Sequence, residues 1–215
     1  MASKNYPNIL IVEGQQDKRV IPELMEKNGI LWEKDKLPVF IKEYGGYENI
    51  TSDRIHFALQ QSGLKSLGII VDADAEFSDR WQSVRDNLCK PLMPDFPKNI
   101  PETGLIHTAP NGVKFGVWIM PDNQNRGMLE TFLTYLIPDP SEPVWDYAKE
   151  ATREAKNKGA PFIEKHTDKA NIHTWLAWQN EPGNQLHDAV KFKIFEPTHP
   201  KAKIFVNCFK TLYDL

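Results

Sequence analysis

Three short aliphatic runs constrain this chain most. Ile9 to Val12, Pro38 to Ile41 and Leu67 to Val71 are too short to be helix cores. They are also too uniformly apolar for strands with one wet face. Ile9 to Val12 reads as a buried strand, Pro38 to Ile41 as a second short strand and Leu67 to Val71 as a third apolar one, the habit of parallel sheets. Amphipathic stretches of helical length lie between them. Residues 17–27 place Val20, Ile21, Leu24 and Met25 at helical intervals and stop at Asn28-Gly29. Residues 50–62 repeat the pattern and stop at Gly63, and residues 80–92 repeat it again. Leu105 to Thr108 and Phe115 to Met120 form a strand pair across the turn signal Pro110-Asn111-Gly112, and residues 127–136 form a short helix. This order predicts an α/β fold, a mostly parallel sheet with helices on both faces.

Beyond Pro138 the strand signal fades. Residues 144–158 and 169–179 read as helices, and residues 203–213 as a helix or a strand–helix end. The expected organisation is a core over residues 1–138 and a helical C-terminal extension over 139–215, packed together as one compact domain. Two cysteines among 215 residues are too few for a disulfide framework or a cysteine zinc site and suit a reducing compartment. Met1 to Pro7 has no apolar stretch of signal-peptide type, and no apolar run approaches the roughly 20 residues of a membrane span. The expectation is a cytoplasmic protein with no membrane partner.

Net charge is -3, so no strong basic field advertises a polyanion. The charge is uneven, however. Residues 1–110 hold 13 Lys+Arg against 16 Asp+Glu, and residues 149–210 hold 11 against 7. A weakly basic helical side beside an acidic cleft suits a polyanion held against metal ions. The plainer reading of the same charges is a solvated helix face.

The chemistry-bearing residues are acids that follow strands. Glu13 ends the first strand and Asp17 opens the next helix; Asp72 and Asp74 end the third strand; Glu130 sits on the helix after the strand that ends at Met120. In an open parallel sheet, strand carboxyl ends share one edge, where ligands bind. Like charges at close range repel unless cations neutralise them, and hard oxygen ligands in this number suit Mg²⁺ or Mn²⁺.

These residues resemble a family. Glu13-Gly14-Gln15-Gln16-Asp17 after one apolar strand and Asp72-Ala73-Asp74 after another look like the Toprim domain of primases, topoisomerases, RecR-like proteins and OLD-family nucleases. Gly127-Met128-Leu129-Glu130 is similar to the third acidic segment of OLD-type nucleases, and small stand-alone Toprim proteins share features like Gly45-Gly46 and Met120-Pro121-Asp122-Asn123. The resemblance covers roughly residues 7–136. It implies a Toprim-like, Rossmann-like fold. It implies Glu13 as a general acid/base or metal ligand, and Asp17, Asp72, Asp74 and Glu130 holding one or two Mg²⁺ or Mn²⁺ ions. OLD-type nucleases add a lysine, and Lys169 is the candidate here; a surface lysine in a first helical turn is the alternative. The implied activity is a metal-dependent nuclease or related phosphodiester-processing enzyme acting on nucleic acid. A non-catalytic nucleic-acid or protein-binding module of the same fold is the rival reading. A protein partner from the same operon and an oligomer fit either. Asp-x-Asp also serves haloacid-dehalogenase phosphatases and glycosyltransferases. In the phosphatases it normally ends the first strand, whereas here it ends the third and leaves Glu13-Gly14 unexplained.

Other features have plainer readings. Glu76 reads as a helix cap, Asp122 and Asn123 as a turn that could also line the crevice, and Gly45-Gly46 as a strand-to-helix turn. His166 and His173 read as structural or surface groups, and Trp175 and Trp178 as core.

Overall fold

The computed structural model describes residues 6–33 and 35–215, so the signal-peptide reading of Met1 to Pro7 falls mostly outside the described residues. The chain forms β1 (Asn8–Val12), α1 (Gln15–Lys27), β2 (Phe40–Glu43), α2 (Ser52–Leu59) and β3 (Ser66–Asp72). Helix α3 (Phe77–Ser83) follows and runs into a π-helical turn over Val84–Cys89. Then come β4 (Leu105–Thr108), β5 (Lys114–Met120), α4 (Leu129–Thr134), α5 (Glu142–Asn157), α6 (Thr167–Leu176), α7 (Leu186–Lys191) and α8 (Pro200–Tyr213).

The five strands make one sheet in the order β2-β1-β3-β5-β4. β1, β2, β3 and β5 run parallel, and only β4 is antiparallel, paired with β5. The α/β reading therefore stands. The central strands are buried on both faces, as their unbroken apolar runs require. Leu10, Val12 and Ile70 face the side covered by α1, α4 and α8. Ile9, Ile11, Ile69 and Val71 face the side covered by α2, α3 and the π-helical turn. Val20, Ile21, Leu24 and Met25, the four periodic residues of α1, are all buried.

Several boundaries shift. The second strand lies two residues later than its apolar run, because Phe40 to Glu43 is what pairs with Ile9 to Val12. The last segment is helix throughout. Helix α7 carries no periodic signal, since its six residues make under two turns. Trp175 is fully buried, but Trp178 is 43% exposed and stacks on Tyr147 at 5.4 Å. Helix α6 ends at Leu176, so helical spacing no longer governs Trp178.

Helix α8 joins the C-terminus to the middle of the sheet. Gly68 and Gly116 are register partners on β3 and β5, and their missing side chains leave the space that Leu212 and Tyr213 fill. Tyr213 Oη donates to the Ile9 carbonyl at 2.9 Å inside the core. Tyr213→Phe removes that donor alone, so the expected loss is about 1 kcal/mol, or roughly 2–4 °C in Tm. An unchanged Tm in a thermal melt would show that the bond contributes nothing net.

Candidate functional site: an acidic cleft at the strand carboxyl ends

Parallel pairing puts the carboxyl ends of β1, β2, β3 and β5 on one edge of the sheet. A cleft of about 350 Å³ opens there. Glu13, Asp17, Asp72, Asp74, Glu130 and Lys169 all line it. Residues far apart in sequence thus meet in one place.

Each acid is held by its own local structure. Glu13 follows β1, and its Oε1 accepts the Asp72 backbone N–H at 2.8 Å, tying the ends of two neighbouring strands together. The carbonyl of Glu13 accepts from both Gly45 and Gly46 N–H at 2.8 and 2.9 Å, which brings the turn after β2 against the cleft. Asp17 lies in the first turn of α1, where Oδ2 accepts the Gly14 N–H at 3.2 Å. Asp72 Oδ1 accepts the Leu129 N–H at 3.1 Å, at the start of α4. Asp74 sits in the left-handed region at φ +56°, a conformation aspartate tolerates. Its N–H and C=O both bond Gly127, at 2.8 and 2.9 Å. That two-bond bridge delivers Glu130 to the cleft.

The acids differ in how their charge is met. Asp74 Oδ2 lies 2.8 Å from Arg80 Nη2, and Glu130 Oε1 lies 3.2 Å from Lys169 Nζ. Glu13, Asp17 and Asp72 have no cation in contact among the described residues, only backbone N–H donors. Burial pushes the proton affinity of Asp17 up from 3.8 to about 7, and the charge of Glu13 adds to it. Burial likewise holds Asp72 well above the ordinary carboxylate range, reinforced by Asp17 and Glu13. Glu13 is raised by burial too, against the pull of the Asp72 N–H and Arg80. Such mutual elevation is the signature of carboxylates that share a site.

The donor set is all hard oxygen and carries surplus negative charge, which matches Mg²⁺ or Mn²⁺ in chemistry. The side chains are not set for an ion as they stand. Among the described residues no group of three or more His, Cys, Asp or Glu side chains is arranged to hold a metal. The reason is visible in the bonds above, because each carboxylate has turned to the nearest N–H or cation. Glu13 and Asp72 each keep a second oxygen with no protein donor among the described residues.

His166 also lines the cleft, beside Lys169, which the sequence reading did not anticipate. The only signal for it is its position just before α6, three residues from Lys169. His173 stays exposed on α6. Asp122 does not reach the cleft. Its carboxylate accepts from Gln124 N–H, Asn125 N–H, Asn125 Nδ2 and Tyr135 Oη, in a neighbouring cavity of about 210 Å³. Asn123 is a strut, its Oδ1 accepting the buried Ile119 N–H at 2.7 Å. Glu76 occupies the N-cap position of α3 but its side chain makes no capping hydrogen bond, and it does not line the cleft.

A family model described as a protein of unknown function, DUF3226, matches residues 7–214. The chain belongs to that family. No curated protein and no solved structure matches this DUF3226 chain. The matched span runs from just before β1 through α8, so the sheet, the cleft and the C-terminal helices all lie within it. Among the described residues of this DUF3226 protein no helix is long and apolar enough to cross a membrane.

Proposed function

We propose that the cleft is the active site of a Toprim-like, divalent-cation-dependent nuclease or related phosphodiester-processing enzyme. One observation carries this reading. Glu13, Asp17 and Asp72 converge at the carboxyl edge of a parallel sheet, and no cation is in contact with any of them among the described residues. Buried charge of this kind costs stability, and a chain keeps it where a bound cation repays the cost. An ion held by Asp17 and Asp72, with Glu13 and Glu130, would supply Lewis acidity at a phosphoryl oxygen and lower the pKa of an attacking water.

The protein groups divide the remaining work. Glu13, at the end of β1 and lining the cleft, accepts a proton from the attacking water. Lys169, released from Glu130, meets the charge developing on the phosphate. Gly45 and Gly46 leave the rim open to a polyanion backbone. Nucleic acid is the proposed partner, and the proposed compartment is the cytoplasm. A protein partner from the same operon and an oligomer remain compatible with the reading.

The test is direct. Purified protein is incubated with single- and double-stranded DNA and RNA in Mg²⁺ or Mn²⁺. Cation-dependent cleavage of at least one is expected, and it should fall to background in Asp72→Asn, which retains an acceptor for the Leu129 N–H. No cleavage of any of the four by the wild type, with either ion, abandons the enzymatic reading. The second reading, a non-catalytic binding module, is favoured by the two ion pairs already closed at Asp74 and Glu130. It expects equal nucleic-acid affinity in the wild type and in Asp72→Asn, without turnover by either.

A further inference from the structure

Two cations pair with acids of the cleft, Lys169 with Glu130 and Arg80 with Asp74, and they are not equivalent. Lys169 lies on the first turn of α6 with its side chain 48% exposed. An exposed ammonium on a flexible stem gives up one carboxylate for another partner at little cost. Arg80 is built in. Its side chain is 12% exposed, and its guanidinium carbon lies 3.7 Å from the centre of the Tyr47 ring. Tyr47 is fixed in turn, because its hydroxyl donates to Ser83 Oγ at 2.8 Å, one turn beyond Arg80 on α3. A guanidinium does not lose its proton in a protein, so this charge cannot be switched off.

We propose that Arg80 stands in place of one metal ion, so that the cleft takes a single divalent ion between Glu13, Asp17, Asp72 and Glu130. The inference rests on the functional reading above and narrows it, since the resemblance allows one ion or two. The Oδ2 of Asp74 is spent on Arg80 at 2.8 Å. A second divalent ion would have to share Asp74 with a fixed positive charge at contact distance, where like charges repel strongly. Arg80 is thus a positioning and charge-setting residue, holding Asp74 where a two-ion site would need that carboxylate free.

The experiment counts bound Mn²⁺ by equilibrium dialysis and by the loss of the free-ion electron paramagnetic resonance signal, with no substrate present. The wild type is expected to bind one ion per chain. Arg80→Met, which removes the charge and keeps the bulk, is expected to bind two. Arg80→Lys keeps a cation and is expected to bind one. Two ions on the wild type or on Arg80→Lys, or one on an Arg80→Met protein that circular dichroism shows to be folded, overturns the inference and leaves the functional reading standing. No ion on the wild type overturns both. If Arg80→Met fails to fold, the wild-type and Arg80→Lys counts decide the matter.

Discussion

Asp17→Asn is expected to melt roughly 5–10 °C above the wild type at pH 8 in the absence of divalent ions, a gain of about 2–4 kcal/mol. The direction follows from burial. Asp17 is only 7% exposed, and its proton affinity rises from 3.8 to about 7 on folding. Between those values the folded chain binds a proton that the unfolded chain has released. Stability is therefore highest at the acid end, falls as pH rises through about 7, and levels off above it. At pH 8 the wild type carries the full burden of a buried charge beside Glu13, and asparagine removes it. The side-chain oxygen of asparagine still accepts the Gly14 N–H, so the start of α1 is retained. The difference in stability between variant and wild type should shrink from pH 8 towards pH 5, which a series of melts would measure. Saturating Mn²⁺ should reverse the order. An ion at 1,000 times its Kd adds about 4.1 kcal/mol to the wild type, which exceeds the variant's advantage, and the variant loses a ligand. A variant less stable than the wild type at pH 8 without metal would mean that Asp17 is already neutralised.

Opposed effects of this kind mark a residue kept for function rather than stability. They also explain why the cleft was legible in the sequence. Acids at the ends of fully apolar strands conflict with local stability, and parallel pairing leaves them only one edge to share. Glu13, Asp72 and Asp74 could be placed from strand ends alone, and Asp17 and Glu130 from the helices that follow. Of the cations, Lys169 was reached only through the Toprim resemblance, and Arg80 was not legible. Arg80 lies six residues beyond Asp74 in an ordinary helical stretch, and only the turn of the chain at Asp74 brings its guanidinium back. His166 was read as a structural or surface group, because its seven-residue spacing from His173 offers no third metal ligand. Fold detail was lost for a similar reason: α7 is too short to show a period, and Trp178 keeps helical spacing after the helix has ended. Sequence pattern reports which face a residue takes within an element, and it fails at the ends of elements, where tertiary bonds decide.

The Gly127 turn shows how far such a tertiary bond reaches. Gly127→Ala is expected to cost about 3 kcal/mol, a fall of roughly 6–12 °C in Tm, and to weaken Mn²⁺ binding at least tenfold. Two strains combine. Gly127 sits at φ +134°, a backbone conformation closed to alanine without distortion. An added Cβ would also lie 2.5 Å from Thr131 Oγ1. Thr131 cannot rotate freely aside, because that hydroxyl accepts the Met128 N–H at 3.0 Å and donates to Asp168 at 2.7 Å. The turn must open, which breaks the double bridge to Asp74 and loosens the Leu129 N–H on Asp72. Both acidic strand-end residues then lose their reference to Glu130. Gly112→Ala separates the two strains. Gly112 also has a positive φ, +85°, but nothing lies within 4 Å of its added Cβ. It should cost only about 1 kcal/mol and leave Mn²⁺ affinity unchanged. If Gly127→Ala melts no lower than Gly112→Ala, or binds Mn²⁺ as the wild type does, the bridge does not hold the acids in place. Their meeting would then be set by the sheet alone.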